Sequence, residues 1–366
     1  MLNSRIGTVE AIMLILTNIV THTILSLPRN ILSTQKSASI LNLIYVGIFA
    51  IFIAYLIFKL FKNFPGLDIL DISEIIGGKI FKNIIGVLFI AFFIITSSIL
   101  LRNFCESIKI IYYPMTNISY ILAIFVIAIC IANRFDFSAT LKTNLIVIPF
   151  LLASMIFLFF TNINKFVPQR AFPILGEGAF NTFVLGLSNL GAFGGIAYLY
   201  FLPPLLQEPD KFKKISLISI GITVIYLILS VATLLFMFSF FVSINEITPL
   251  YSATRYIEFG TFFQRLESIF LLVWILVFAC YLSIVTKFAM IILKKVVNIE
   301  TTSPLIDIFG LLVFAIALFP KNYTISQEIE TSVYPHLVIG IVICLGLGIL
   351  VIANILRQKH KTVLNN

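Results

Sequence analysis

Long apolar runs dominate the chain, and short polar stretches divide them into segments long enough to cross a bilayer. A membrane-spanning helix needs about 20 mostly apolar residues, and the pattern predicts ten of them. Most are apolar on every side, which is typical of helices in contact with lipid or with a helix bundle. The fourth and the ninth are the shortest. The predicted spans are roughly 9–32, 40–61, 80–104, 117–133, 141–161, 180–206, 214–243, 262–291, 304–320 and 334–356.

The composition excludes a soluble protein. The chain has 366 residues, of which 60% are hydrophobic and 11% are charged, and its mean hydropathy is +1.09. Soluble domains carry about 25% charged residues. We therefore predict a polytopic protein of the lipid bilayer.

Lysine and arginine are distributed unevenly between the two sets of connecting segments. With the N-terminus in the cytoplasm, the cytoplasmic segments hold 16 of the 25 Lys and Arg residues. Positive residues favour the cytoplasmic side, and ten spans return the chain to the side where it began. We expect both termini in the cytoplasm. The net charge of +9 lies in short loops, which argues against nucleic-acid binding.

Two predicted spans contain residues that weaken a helix. The first carries Thr21-His22-Thr23, and the sixth carries Gly191, Gly194 and Gly195 within the stretch GLSNLGAFGGIAYLYFLPP. Glycine and small polar residues disfavour a helix interior. A break at membrane depth is tolerated where it lines a cavity. We predict breaks in both spans, with close helix packing as the alternative explanation of the glycines.

Breaks in spans one and six divide the chain into five plus five. Because five is odd, the second half must run through the membrane in the opposite sense, as in the inverted repeats of LeuT-type transporters. The predicted fold is an all-α integral membrane protein with discontinuous helices 1 and 6. We expect a single polytopic domain over 1–366, with repeats at about 9–161 and about 180–356, although the halves have no obvious residue-by-residue similarity.

The predicted ligand site lies at the midplane, between the two breaks. Helix N-termini there would offer free N–H groups and a positive dipole end, which suit a carboxylate. The candidate ligand-binding residues are Thr21, His22, Thr23, Ile24, Gly191, Phe193, Gly194 and Gly195.

Two interpretations of His22 stay open. It has a functional role, as a ligand contact or a proton-sensitive switch, or it is a neutral histidine that bonds to a backbone carbonyl freed by the helix break. Thr21 and Thr23 either donate to the ligand or bond back to the preceding turn.

Five stretches along the chain carry distinctive polar and aromatic residues. They are ILSLP at 24–28, LLRNFCESIKIIYYPMT at 100–116, Pro149, FPILGEG at 172–178 and PLYSATRYIEFGTFFQRLESIFLLVWIL at 249–276. In this order they resemble the endospore germination permeases, the B subunits of GerA-type nutrient germinant receptors. These belong to the amino acid–polyamine–organocation superfamily. The resemblance covers nearly the whole chain.

The resemblance implies a function and partners. The protein would bind a small germinant, most simply an amino acid, and act with an A subunit and a C lipoprotein subunit in the spore inner membrane. The alternative is an autonomous amino acid transporter of the same superfamily, coupled to H⁺ or Na⁺. Thr21 and Thr23 stand where the family usually has glycines, and Gly195 stands where many members have Glu. The identity of the ligand therefore stays open.

Charged residues near the predicted span ends are candidates for ion pairs. Arg102 and Glu106 are four apart and share a helix face, so they form either an interfacial pair that ends the third span or a gate above the ligand. Arg265 and Glu267 diverge on a helix and are expected to pair with other segments, such as Arg255 or Glu258.

Motifs of enzyme active sites are missing from the sequence. It has three histidines and contains no G-x-S-x-G, H-E-x-x-H or Walker A motif. The four cysteines are scattered and lack the spacing of metal ligands. We predict no catalytic activity, no cofactor and no metal site.

Overall fold

The computed structural model describes residues 5–257, 266–299, 301 and 303–364. These residues form helices joined by short connections, and one parallel β-bridge links Ile6 with Leu206. The α-helices are α1 Thr8–Leu25, α2 Leu27–Gln35, α3 Ser39–Phe61, α4 Ile69–Tyr112, α5 Ile118–Arg134, α6 Phe137–Thr161, α7 Ala179–Phe183, α8 Phe212–Met237, α9 Phe240–Asn245, α10 Pro249–Arg255, α11 Leu266–Val297, α12 Leu305–Leu318, α13 Tyr323–Leu337 and α14 Gly346–Leu364. The longest 3₁₀ segment is Leu185–Tyr200, and Val338–Leu345 is π-helical.

Eight helical stretches of the described chain are long and apolar enough to cross a membrane. Two further apolar helices, α5 and α12, are shorter. They correspond to the fourth and ninth predicted spans, which the sequence already identified as the shortest. The all-helical membrane architecture is confirmed, and the five-plus-five inverted repeat stays a prediction.

The first span is interrupted at Ser26, so the predicted break at Thr21-His22-Thr23 is wrong. Helix α1 continues without interruption to Leu25, and α2 begins at Leu27 with Pro28 in its first turn. Proline has no N–H to donate to the carbonyl four residues earlier, but it fits the first turn of a new helix. Position 28 therefore decides where the helix stops.

The sixth span is irregular over most of its length. It begins as the short α7, continues as the 3₁₀ segment Leu185–Tyr200, and has a non-helical backbone at Phe193, with ψ of 36°. The predicted disruption of this span is confirmed. Within the bilayer, the backbone groups that such a segment frees must find partners inside the protein.

Asn42 of α3 supplies partners for the start of this irregular span. Its amide nitrogen donates to the carbonyl oxygens of Thr182 at 2.8 Å and Gly186 at 3.2 Å. Its own oxygen accepts from the Asn189 amide at 2.8 Å. Asn42 is fully buried. One side chain therefore satisfies two carbonyls that a regular helix would have paired internally.

Helix α1 lies in the middle of the bundle. Every residue from Leu14 to Leu25 is buried, and the helix packs against α6, α8, α11 and the 3₁₀ segment Leu185–Tyr200. The polar residues of α1 consequently face protein rather than lipid.

Contacts between connections define two ends of the bundle. At the end that holds the termini, Ile6 pairs with the backbone of Leu205 and Gln207, and Asn354 of α14 donates to the Leu60 carbonyl at 3.2 Å. We call this end the termini face and the opposite end the far face. The orientation of the two faces in the cell stays a prediction.

Lys295, near the end of α11, joins α11 to α4 at the termini face. Its Nζ lies 2.6 Å from Asp68 Oδ2 and 2.8 Å from Asp71 Oδ2. Asp68 also caps α4 by accepting from the backbone N–H groups of Leu70 and Asp71. Burial raises the pKa of Asp68 to about 6, although the positive charge of Lys295 opposes this rise.

At the far face, Ser37 donates to the Pro173 carbonyl at 2.7 Å, and Lys36 pairs with Glu177. These contacts hold the α2–α3 connection against the long connection before α7.

We predict that Asn42→Leu destabilises the protein by about 2–4 kcal/mol. The substitution leaves two buried carbonyl oxygens without a hydrogen-bond donor, and each buried polar group left without a partner costs about 1–3 kcal/mol. Thermal unfolding of the detergent-purified protein measures the loss. The control is Asn164→Leu at an exposed position. Equal stability of the two variants would contradict the role of Asn42.

We predict that Lys295→Met destabilises the protein more at pH 8 than at pH 5. Asp68 holds its proton more tightly in the folded chain than in the unfolded chain, and removal of Lys295 raises its folded pKa further. The folded state then binds more protons than the unfolded state, so stability falls as pH rises from about 5 to 8. Because Lys295 is one-third exposed, we expect less than the about 3–5 kcal/mol of a fully buried pair.

Unfolding midpoints at both pH values provide the measurement, with Lys294→Met, one residue earlier on the same helix, as the control. A loss of stability that is the same at pH 5 and pH 8 would show that Asp68 does not respond to Lys295.

Candidate functional site

His22 and Glu330 meet in the interior of the bundle. Helix α1 supplies His22, and α13 supplies Glu330, whose Oε1 lies 3.6 Å from His22 Nδ1. Asn103 of α4 donates its amide to Glu330 Oε2 at 2.5 Å. All three side chains are buried. Ionisable groups at membrane depth are rare and usually functional.

Two tyrosines enclose the histidine. The ring of Tyr334, one turn after Glu330 on α13, stacks on the imidazole with centroids 4.3 Å apart. The ring of Tyr281 from α11 meets it edge-on at 5.9 Å. We call His22, Asn103, Tyr281, Glu330 and Tyr334 the central site.

Many polar atoms of the central site have no hydrogen-bond partner among the described residues. They include both ring nitrogens of His22, the Asn103 side-chain oxygen and the hydroxyls of Tyr281 and Tyr334. The same is true of the Ser26 hydroxyl, at the interruption of the first span. Each such group costs about 1–3 kcal/mol if it stays unpaired. A small polar guest at this position would satisfy several of them together.

Further unpaired groups lie next to the central site. Asn18, one turn before His22 on α1, has a buried side-chain oxygen that forms no hydrogen bond of ordinary geometry, although it interacts with the nearby hydroxyl of Tyr198. Tyr198 belongs to the 3₁₀ segment Leu185–Tyr200. The unpaired groups therefore extend from α1 to the irregular sixth span.

The glycines of the sixth span permit close contact with these elements. A Cβ on Gly194 would lie 2.3 Å from the Tyr334 hydroxyl oxygen, and a Cβ on Gly195 would lie 3.0 Å from the Ile15 carbonyl oxygen of α1. Gly191 lies against Pro335 in the same way. Phe193, between them, is fully buried. The glycines thus bring the sixth span against both α1 and α13, as the packing alternative expected.

The threonines beside His22 bond within their own helix. The Thr21 hydroxyl donates to the Thr17 carbonyl at 2.6 Å, and the Thr23 hydroxyl donates to the Ile19 carbonyl at 2.8 Å. This is the second of the two alternatives for these residues, and it lets α1 continue through them. Ile24 borders a small apolar gap on the far-face side of His22. Of the candidates on the first span, the structure brings His22 into the polar cluster.

Arg102 and Glu106 form a buried ion pair on α4. Arg102 Nη2 lies 2.8 Å from Glu106 Oε1, and Arg102 Nη1 donates to the Ala317 carbonyl at 3.2 Å. That carbonyl belongs to the last turn of α12, where a cation stabilises the helix end. Helix α4 continues past the pair to Tyr112, so the pair does not end the span. A gating role stays a prediction.

Arg255 and Glu267 lie apart from the central site, in the wall of a cavity at the far face. Arg265 and Glu258, which the sequence analysis also named, lie outside the described residues. The expected pairing of Arg265 and Glu267 with other segments therefore stays a prediction.

Glu330 and Asn103 are the functional candidates that sequence analysis missed. Hydropathy placed the tenth span at about 334–356, which left Glu330 in a loop. The structure extends that span backwards as α13, whose first turn is capped by Asn322 accepting from the Ile325 N–H at 2.9 Å. An Asn immediately before a helical pattern, as Asn322 stands before Tyr323, is the signal that could have revealed it.

In the described part of the chain, no three His, Cys, Asp or Glu side chains come together in a group that could hold a metal ion.

Comparison with known proteins identifies the family. A family model described as "Spore germination protein" matches residues 5–326. The chain is also 27% identical over 262 residues to spore germination protein A2 of Bacillus subtilis (strain 168), and the match covers 67% of each protein. The family match includes His22 and Asn103 and ends just before Glu330. Because the family model spans most of the chain, this protein belongs to the spore germination protein family.

Proposed function

We propose that the protein is the B subunit of a spore nutrient germinant receptor and that it binds an amino acid at the central site. The observation that carries the proposal is the set of buried, unpaired polar groups around His22 and Glu330. It lies where the interrupted first span, the irregular sixth span and α13 meet. Membership of the family and the similarity to spore germination protein A2 support the germination role.

The chemistry of the central site favours a ligand that carries an ammonium group. Glu330 is a buried carboxylate whose one described hydrogen bond comes from the neutral amide of Asn103. An ammonium group beside it would add charge-assisted hydrogen bonds, which are stronger than neutral ones.

The ligand's carboxylate would face the interruption at Ser26. Residues 22 and 26 are four apart and share one side of the chain, so the Ser26 hydroxyl and the start of α2 lie one turn beyond His22. The positive end of a helix dipole favours an anion at this point. Relative to the sequence analysis, the proposed carboxylate position moves from the predicted break at Thr21-His22-Thr23 to the start of α2.

In this proposal the protein acts with an A subunit and a C lipoprotein subunit in the spore inner membrane, with both termini in the cytoplasm and without catalytic activity of its own. The alternative is H⁺-coupled or Na⁺-coupled amino acid transport, for which His22 and Glu330 offer a proton site. Uptake of labelled amino acid into proteoliposomes that contain this chain alone would favour that alternative.

We predict that Glu330→Gln raises the amino acid concentration for half-maximal germination about 10-fold to 100-fold. The loss of a hydrogen bond to a charged group costs about 1.5–3 kcal/mol, and each 1.4 kcal/mol is a factor of ten. Spores that carry the variant with its partner subunits are assayed against a panel of amino acids, and an immunoblot verifies the protein level. Glu328→Gln, on the same helix but exposed, is the control.

The same spores are tested with analogues that lack the amino group. The parent protein should discriminate against these analogues, and Glu330→Gln should lose most of that discrimination. If Glu330→Gln and Glu328→Gln respond alike, Glu330 does not recognise the ammonium group.

We predict that Gly194→Ala also raises the half-maximal amino acid concentration, since the added methyl group would displace the Tyr334 hydroxyl from its position beside His22. Gly221→Ala is the matched control, because a Cβ at Gly221 meets open space within α8. Alanine favours a helix by about 1 kcal/mol over glycine, so the control should be at least as stable as the parent. An unchanged response in Gly194→Ala would remove Tyr334 from the site.

A further inference from the structure

A cavity of about 540 Å³ lies at the far face, separate from the central site. Its walls come from the end of α4, the connection between α9 and α10, and the start of α11. This volume falls within the range of small-molecule sites, which is about 300–1,000 Å³. We call it the outer cavity.

Charges of both signs line the outer cavity. Arg255 supplies a guanidinium group, and Glu246 and Glu267 supply carboxylates. Glu246 Oε2 accepts from the Ser252 hydroxyl at 2.9 Å. Within the described residues, the side chains of Arg255 and Glu267 form no hydrogen bond and no ion pair, with each other or with a third group. They are therefore available to a solute.

A small apolar gap lies between the outer cavity and α1. Tyr251, whose hydroxyl is 3.1 Å from that of Tyr112, lines the cavity and also borders this gap. Ile24, Phe104 and Trp274 border the same gap, and Ile24 follows His22 by two residues. The mostly apolar gap thus lies between the outer cavity and the end of the helix that carries His22.

We propose that the outer cavity is a second binding site, which holds a small zwitterion before it reaches the central site. Arg255 faces the carboxylate of the solute, and Glu267 and Glu246 face its ammonium group. The class of solute follows from the cavity itself, whose wall carries side chains of both positive and negative charge. The proposal rests on the proposed function in one respect, which is that the same amino acid occupies both sites.

The test counts bound amino acid on the full chain in lipid nanodiscs. Equilibrium dialysis with each of the twenty labelled amino acids identifies one that binds and gives the number of molecules bound per chain. The double variant Arg255→Gln/Glu267→Gln removes the charges of the outer cavity, and Glu330→Gln removes the carboxylate of the central site. Lys321→Gln/Glu328→Gln, at exposed positions outside the cavity, makes the same change of charge as a control.

We expect two molecules per chain in the parent and in the control, and one in each of the other variants. Binding to the outer cavity should weaken between 50 and 500 mM NaCl, because Arg255 is exposed and Glu246 and Glu267 are only half-buried, so that salt screens their charges. Binding to the buried central site should change little. The salt series on the parent protein supports the assignment even where a variant folds poorly.

The outcomes separate this proposal from the proposed function. Suppose that the parent binds one molecule of amino acid per chain, and that this binding is lost in Glu330→Gln but kept in Arg255→Gln/Glu267→Gln. This result overturns the outer site and leaves the central site intact. The reverse pattern supports the outer site and overturns the central one. Failure of all twenty amino acids to bind overturns both.

Discussion

The structure depends on one constraint, which is that every polar group inside the bilayer must find its partner within the protein. A regular helix meets this constraint by itself, but the first and sixth spans do not form regular helices. The first stops at Ser26 and restarts at Leu27, and the sixth is largely a 3₁₀ segment. Neighbouring elements must then supply the missing partners, and Asn42 does so at the start of the sixth span.

The same constraint makes the central site informative. Where the structure needs stability, as around Asn42, Arg102 and Lys295, the buried polar groups are paired. Around His22 several are not: both imidazole nitrogens and two tyrosine hydroxyls lack hydrogen-bond partners among the described residues. Single unpaired groups also occur elsewhere, for example at Asn83 and Asn162, but around His22 several of them lie in one cluster of contacting side chains.

Hydropathy was sufficient to predict an all-helical membrane protein, with eight helices of the described chain long and apolar enough to span, and helix-weakening residues were sufficient to predict irregular backbone in the first and sixth spans. The exact point of the first interruption was not predictable from residue type alone. Thr21 and Thr23 disfavour a helix in general, but their hydroxyls bond to the preceding turn and keep α1 intact. The missing N–H of Pro28 acts on the carbonyl of residue 24 and moves the interruption to Ser26.

The sequence could not show which charged residues are buried or which distant residues they contact, and the reason is different. Arg102 and Glu106 appeared to mark the end of a span because charges usually lie at the interface. In the fold, α12 ends beside them and its Ala317 carbonyl accepts from the guanidinium. Glu330 appeared to lie in a loop because hydropathy averages over a window, and the polar start of α13 lowers that average. The Asn322 cap could have placed Glu330 on a helix, but its contacts with Asn103 and His22 are visible only in the fold.

Helix α4 connects these features, since it contributes at every depth of the bundle. At the termini face, Asp68 and Asp71 bind Lys295; in the interior, Asn103 reaches Glu330 and the adjacent Arg102 holds the end of α12; and at the far face, Tyr112 lines the outer cavity. One wall of the central site is therefore fixed by ion pairs and hydrogen bonds along α4, whose backbone is non-helical at Gly78, between Asp71 and Asn103. The opposite wall consists of the two irregular spans, whose backbone bonding is incomplete. A ligand can shift a conformational equilibrium only through contacts that differ between the two states. In this fold, the contacts able to differ are those on the irregular wall, at Ser26 and along Leu185–Tyr200, while α4 provides the fixed reference.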